Sequence, residues 1–179
     1  MLRSIGALLA LLPALSTSAA ELDVDLPGHD ALILAVPDGW VAQVRRPRAD
    51  APPTIVVTSK AADTLQVLIS PIWPMGDEHP PTLDTIRRLV ESAARQAQPQ
   101  AVEHDLPLHR FAGAKTNGYY FSATDREPEP NGYKYLTQGA LVLNELCVAF
   151  TVLVNGEPQK PTEQALEMLR TGRRAPAKK

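Results

Sequence analysis

Residues 82–99, TLDTIRRLVESAARQAQP, decide the fold class, because they predict one amphipathic helix in the middle of a chain that is otherwise rich in strands. Apolar residues recur three or four positions apart over Leu83–Ala97, which is the spacing of one helical face. Thr82 is the predicted N-cap, and the proline that closes the stretch disfavours helix in the residue before it. We expect the apolar stripe to pack on a sheet, with Leu89 buried near its middle.

Short stretches rich in Ile, Val and Thr on both sides of this helix predict strands. Turn residues separate them at close intervals, so consecutive strands are expected to pair antiparallel. A second, shorter helix is predicted from about Pro161 to just before Gly172. The strands are predicted at 22–26, 31–36, 40–46, 54–59 and 65–70, and after the helix at 102–111, 118–124, 133–143 and 146–154. The predicted fold class is therefore α+β, an antiparallel β-sheet covered by helices.

Length and composition limit the classes of protein that this chain can represent. Its 179 residues suit one domain, and 44% apolar with 21% charged residues is a globular composition rather than a disordered one. Beyond residue 20 no apolar run approaches the roughly 20 residues of a transmembrane helix. The single cysteine excludes an internal disulfide framework. A transporter and a disulfide scaffold are therefore excluded.

The first twenty residues, MLRSIGALLALLPALSTSAA, predict a cleavable signal peptide. Arg3 supplies the positive n-region, an apolar h-region of eleven residues follows it, and small residues precede the expected cleavage after Ala20. The mature chain is then expected to begin at Glu21 and to be periplasmic or secreted. No transmembrane segment is expected to remain after cleavage.

The formal net charge of −2 hides a difference between the body of the chain and its C-terminus. The last ten residues contain basic but no acidic side chains, so the rest of the mature chain is acidic. An acidic surface repels the phosphate backbone, and no nucleic acid partner is expected. We expect a single domain at 21–171, followed at 172–179 by a basic disordered tail that could contact an anionic membrane weakly.

The turn at residues 36–40, Val-Pro-Asp-Gly-Trp, completes the pattern, with Pro and Gly at the second and fourth positions of a predicted type I turn. An exported chain of this size with this turn and the element order above resembles the PsbP-like family, whose namesake is an extrinsic subunit of photosystem II. Pro37, Gly39 and Trp40 carry the match, and their role in that family is structural. The resemblance implies an α/β/α sandwich and a binding or assembly module rather than an enzyme.

A proline-rich loop before the first helix is the predicted contact surface for a protein partner. It places Trp73 and Met75 between prolines, beside the polar residues Asp77, Glu78 and His79. Tryptophan is enriched at binding hot spots, and prolines hold such a surface rigid. The alternative is that Trp73 folds back onto the sheet as a lid over the core. The function expected is a non-enzymatic module that recognises a protein partner and needs no cofactor.

A periplasmic hydrolase is the first alternative function. It would need a nucleophile beside a base, and Ser70 or Ser122 with His104 is the pair that the sequence offers. Cys147 is not a candidate nucleophile, because its apolar surroundings favour the neutral thiol and predict a buried, unreactive side chain. No catalytic residue is therefore assigned.

A metal-binding protein is the second alternative, using Glu103, His104, Asp105 and His109. In an extended strand His104 and His109 point to opposite faces, because their separation is an odd number of residues. His104 is expected to lie partly buried on the apolar side and His109 to be exposed. This geometry does not bring the four side chains together, so no metal site is predicted.

Overall fold

The computed structural model describes residues 20–48, 51–60, 64–72, 81–144 and 146–176. In these ranges the chain forms ten strands and two α-helices. The strands are β1 (Ala20–Asp25), β2 (Ala31–Val36), β3 (Trp40–Arg45), β4 (Thr54–Ser59), β5 (Leu65–Ile72), β6 (His109–Ala112), β7 (Thr116–Thr124), β8 (Tyr135–Leu143), β9 (Leu146–Val154) and β10 (Arg173–Ala175). The helices are α1 (Leu83–Ala97) and α2 (Gln159–Arg170). The predicted α+β class is confirmed.

Two antiparallel sheets organise the strands. Seven strands pair in the order β3-β4-β5-β9-β8-β7-β6, and β1, β2 and β10 form a smaller sheet with β2 in its centre. The β8–β9 ladder runs without interruption to the pair Leu143–Leu146, as predicted for a tight hairpin. Asn144 turns the chain there with a φ of 44°, a left-handed conformation that asparagine tolerates.

Buried apolar side chains line both faces of the larger sheet where β7, β8 and β9 lie side by side. On one face Ile86 and Val90 of α1 pack with Phe121 of β7. On the other face Leu166 of α2 packs with Phe150 of β9 and with side chains of the small sheet. No helix within the described ranges is long and apolar enough to cross a membrane.

The helix α1 lies on the sheet as predicted, but the expectation that Leu89 is buried is wrong. Ile86, Val90 and Ala94 are buried, whereas Leu89 is 50% exposed. The buried residues are four positions apart, which is the line along which a helix touches a flat sheet. Leu89 is turned about 60° away from Ile86 and stands at the edge of the apolar stripe.

The predicted strand over 102–111 is also wrong in most of its length. Only β6 pairs with β7, and it begins at His109. Pro107 stands where the ladder would continue and has no amide to donate, so the chain leaves the sheet. The alternation argument therefore fails for His104, whose side chain is 99% exposed rather than partly buried.

The predicted disordered tail is corrected for its first residues, because β10 pairs with β2. The Arg174 Nη1 donates to the Asn144 carbonyl at 2.6 Å, and its Nη2 lies 3.3 Å from an Asp30 oxygen. Arg173 Nη2 lies 2.6 Å from the Glu21 carboxylate. Two of the basic charges are thus engaged within the domain, which weakens the expected contact of this end with an anionic membrane.

The turn before β3 differs from the predicted type I geometry by one position. Its hydrogen bond runs from the Trp40 amide to the Pro37 carbonyl at 3.2 Å. Gly39 therefore occupies the third position of the turn, with a φ of 79°. A side chain at that position would be strained, which explains the need for glycine there.

Candidate functional site

An open cleft of about 410 Å³ lies between the first half of α2 and the end of the β7–β8 pair. Its floor consists of Tyr120 and Ser122 from β7 with Tyr135 and Thr137 from β8. We call it the β7–α2 cleft. Its volume lies in the range of roughly 300–1,000 Å³ that is usual for binding pockets.

The register of β7 against β8 sets the order of groups along the floor. Ser122 is opposite Thr137, and their hydroxyl oxygens are 2.8 Å apart. Tyr135 is opposite Thr124, four residues along β7 from Tyr120, so the two tyrosines mark ends of the floor about 13 Å apart. The cleft therefore has a polar middle and an aromatic ring toward each end.

The helix α2 forms the wall, and it packs unevenly on the sheet. Its buried residues Ala165, Leu166, Met168 and Leu169 all belong to its second half. The first half stands over Ser122 and Thr137, whose small side chains leave the space open. Gln159 and Glu163 face this space, and Gln159 Nε2 donates to a Glu163 carboxylate oxygen at 3.2 Å.

Glu103 on the rim is fixed by Thr124. The Thr124 amide donates to one carboxylate oxygen at 2.9 Å and its hydroxyl donates to the other at 2.7 Å. Partial burial raises the pKa of the Glu103 carboxyl, but these two hydrogen bonds, together with one from its own backbone, outweigh it and hold the pKa below its usual value. His109 completes the rim, with its ring centroid 5.2 Å from that of Tyr120.

The outer edge of β7 has a gap at the cleft. β6 stops pairing at Tyr120, and Thr124 bonds instead to Glu103 and to the Val102 amide. Alternate residues of a strand direct their peptide groups to the same edge, so those of Ser122 point outward with those of Thr124. Within the described part of the chain, Ser122 has no strand partner on this edge.

The predicted contact surface is not tested by these contacts. Trp73, Met75, Asp77, Glu78 and His79 lie outside the described residues. Their role in partner binding stays a prediction.

The predicted hydrolase pair is not brought together. Ser122 lines the cleft, but its hydroxyl is hydrogen-bonded to that of Thr137. Ser70 lies in β5, and β9 and β8 separate that strand from β7. The His104 Nδ1 lies 3.3 Å from an Asp105 oxygen at the exposed surface. The histidine that does share the cleft with Ser122 is His109.

The four residues considered for a metal site are likewise separated by their contacts. Glu103 binds Thr124, His104 pairs with Asp105, and His109 packs on Tyr120. No group of three or more His, Cys, Asp or Glu side chains in the described ranges is placed to hold a metal ion.

Cys147 is buried in β9, as predicted, with 3% of its surface exposed. Burial raises the pKa of its thiol from 9.0 to about 11, so the thiol is protonated at neutral pH. The cysteine therefore packs as a small apolar residue against the α1 side of the sheet.

The sequence did not identify the cleft, although it carried one signal for it. Ser122 directly follows three aromatic residues, and Thr137 directly follows Tyr135 and Leu136. These two residues indicate a polar site only once the β7–β8 register is known to place them opposite each other. The contribution of Gln159 and Glu163 depends on the tilt of α2 and has no signature in the local sequence.

Comparison with known proteins identifies the fold. No family profile and no curated protein matches the sequence. The solution structure of cyanobacterial PsbP from Synechocystis sp. PCC 6803 is similar, with a TM-score of 0.50 over 93% of this chain and 99% of that chain. The two sequences are 9% identical over this match. The similarity therefore confirms a PsbP-like fold and nothing more specific.

Proposed function

We propose that this chain is an exported, non-enzymatic module that binds an extended segment of a protein partner in the β7–α2 cleft. The observation that carries the proposal is the combination in one open cleft of aromatic ends, a polar floor and an unpaired strand edge at Ser122. Such a combination suits a peptide, which offers both a hydrogen-bonding backbone and apolar side chains.

The dimensions of the cleft suit a short extended segment. A floor of about 13 Å accommodates about four residues of extended chain at 3.3 Å each. The outward peptide group of Ser122 can give and accept one hydrogen bond, which would fix the register of the segment. Tyr120 and Tyr135 then offer partly exposed rings to its side chains, as aromatic residues do at many interfaces.

The layer arrangement belongs to the same proposal. We infer an α/β/α sandwich in which α1 forms one outer layer, and α2 together with the three-stranded sheet forms the other. The contacts of Ile86 with Phe121 and of Leu166 with Phe150 support it, since they involve opposite faces of the larger sheet. In this arrangement the cleft opens at the seam between the sheet and the second layer.

Export rests on the first twenty residues, and periplasmic or secreted localisation is the corresponding proposal. Mass analysis of the protein recovered from the exported fraction is expected to show a mature N-terminus at Glu21. A mature chain that retains Met1 would contradict cleavage.

The hydrolase alternative is less well supported by the cleft. The hydroxyl of Ser122 is hydrogen-bonded to the hydroxyl of Thr137, which is not a base. A serine nucleophile needs a base to receive its proton. The metal-binding alternative lacks a ligand set among the described residues. Binding therefore remains the function that these contacts favour.

Selection of peptides from a random display library on the purified domain tests the proposal. Selected peptides are expected to bind the wild type and to lose affinity for Thr162→Trp, which fills the cleft without removing a core contact. Tyr133→Ala is the matched control, because Tyr133 lines a different depression beside Lys134. Failure to select any peptide, or peptides indifferent to Thr162→Trp, would overturn the proposal.

A further inference from the structure

We infer that the segment bound in the β7–α2 cleft carries an arginine side chain, which pairs with the carboxylate of Glu163, stacks on the ring of Tyr120 and is attracted by the charge of Glu103. The inference rests on the proposed function and adds the chemistry of the partner to it. Its support comes from the charge of the cleft, the fixed position of one carboxylate and the behaviour of neighbouring aromatic rings.

The charge of the lining is negative. Glu103 and Glu163 contribute two carboxylates, and no lysine or arginine is among the described residues that line the cleft. The beginning of α2 adds about half a positive charge through the helix dipole, which does not balance two carboxylates. Lys160 belongs to the neighbouring depression, and Lys134 lies against the ring of Tyr135, at the other end of the floor from Tyr120. A cationic ligand therefore meets a complementary potential.

Glu103 is held in place before any ligand arrives. Two hydrogen bonds from Thr124 fix its carboxylate, and each oxygen keeps a lone pair free because a carboxylate accepts about four hydrogen bonds. The same two bonds favour the ionised form. A fixed, ionised carboxylate keeps the rim of the cleft negatively charged, which attracts a cationic ligand.

The aromatic rings at this end of the domain already accept cations from the protein itself. Lys134 Nζ lies 5.6 Å from the ring centroid of Tyr135, and the Arg170 guanidinium carbon lies 5.3 Å from that of Phe111. Tyr120 packs edge-on against Phe111 and is partly exposed toward the cleft. It therefore offers a ring for a guanidinium group of the ligand.

Arginine fits this arrangement better than lysine does. Tyr120 and Glu163 line the same space, so a ligand that offers both a planar face and several N–H donors can use both groups. A guanidinium group has five such donors, is less strongly hydrated than an ammonium group and stacks on aromatic rings. Lysine, as a single point charge, would use the same carboxylates with weaker selectivity.

The test is a titration of ¹⁵N-labelled domain with three blocked tripeptides, acetyl-Ala-X-Ala-amide, in which X is arginine, citrulline or lysine. Citrulline keeps the shape of arginine without its charge. The arginine peptide is expected to shift the amide signals of Ser122, Thr162 and Glu163 and to bind about tenfold more tightly than the citrulline peptide. Lysine is expected to fall between them.

Glu163→Gln is the primary variant, because Glu163 is exposed on α2 and its replacement leaves the core intact. It is expected to weaken binding of the arginine peptide about fivefold to tenfold and to leave the citrulline peptide unchanged. Glu157→Gln, an exposed acid just before α2, is the matched control and should change neither.

The outcomes separate this inference from the proposed function. Equal binding of the arginine and citrulline peptides, or no binding of the arginine peptide, would overturn the inference. Library peptides that bind the cleft without enrichment in arginine would do the same and leave peptide binding intact. Library peptides that ignore Thr162→Trp would overturn both.

Discussion

Thr124 donates two hydrogen bonds to the carboxylate of Glu103, one from its backbone amide at 2.9 Å and one from its hydroxyl at 2.7 Å. The pair joins the irregular chain that follows α1 to the outer edge of β7. It takes the place that a neighbouring strand would otherwise occupy. The Glu103 carboxylate thereby occupies the hydrogen-bonding groups of Thr124 at this edge. The neighbouring outward peptide group, that of Ser122, stays accessible.

This contact makes part of the stability depend on pH. The folded-state pKa of Glu103 is below 4.5, so its contribution is fully present above pH 4.5 and is lost as the pH falls through the folded-state pKa. Glu103→Gln is expected to lower the free energy of unfolding by about 1 kcal/mol at pH 7 and by less near pH 3. Urea melts at both pH values measure the difference. A Glu157→Gln control should show no such dependence.

Burial along α1 predicts a contrast between neighbouring residues. Ile86 is 1% exposed, and Ile86→Ala is expected to cost about 2–5 kcal/mol because it leaves a cavity against Phe121. Leu89→Ala is expected to cost less than about 1 kcal/mol, since that side chain is already half in water. Equal shifts of the two denaturation midpoints would contradict the assigned contact line.

Cys147 is expected to react slowly with thiol reagents in the native state. A pKa of about 11 instead of 9.0 lowers the thiolate population about a hundredfold at neutral pH, and burial adds a barrier to access. Labelling with a disulfide reagent at pH 8, with and without 6 M urea, measures the ratio of rates. Rapid labelling without urea would show that β9 is open to solvent.

Gly139 of β8 lies between Tyr120 of β7 and Phe150 of β9, where a larger residue has no space. A Cβ at this position would lie 2.6 Å from the Tyr120 Cβ and 2.8 Å from the Phe150 Cζ. Gly139→Ala is therefore expected to destabilise the domain by about 1–3 kcal/mol or more, and to displace Tyr120 at the end of the cleft. Thermal melts measure the first effect, and the amide signal of Tyr120 reports the second. An unchanged melting temperature would contradict the close packing.

Arg174 is expected to contribute more to stability than its neighbour Arg173. Its guanidinium bonds the Asn144 carbonyl and pairs with Asp30 in a mostly buried position, whereas the Arg173–Glu21 pair is exposed. Arg174→Ala is expected to cost about 1–3 kcal/mol and Arg173→Ala less than about 1 kcal/mol. Chemical denaturation of both variants compares them, and a larger loss for Arg173→Ala would refute this ranking.

The sequence predicted the elements well where local pattern determines structure. The period of α1, the turn residues around Asn144 and the apolar run at Cys147 are local signals, and the corresponding features are present. It failed at Pro107, because alternation of side chains continues in the sequence although the strand does not. It also missed β10, whose three residues carry no strand pattern and pair only because β2 offers an open edge.

The cleft depends on relationships that no local pattern contains. Opposing Ser122 to Thr137 requires the β7–β8 register, and the space above them requires that α2 packs by its second half. Glu103 was weighed as a metal ligand beside His104, yet its partner is Thr124, 21 residues further along the chain. Sequence supplied the chemical groups, and tertiary structure selected which of them meet.

The three-stranded sheet has a consequence for the order in which the domain assembles. Its central strand β2 receives β1 on one side and β10 on the other, and Glu21 and Arg173 meet although they are 152 positions apart. Almost all of the described chain must therefore be present before this sheet can close. The pairing of β10 with β2 is therefore a contact of very long sequence separation, which is expected to form late in folding.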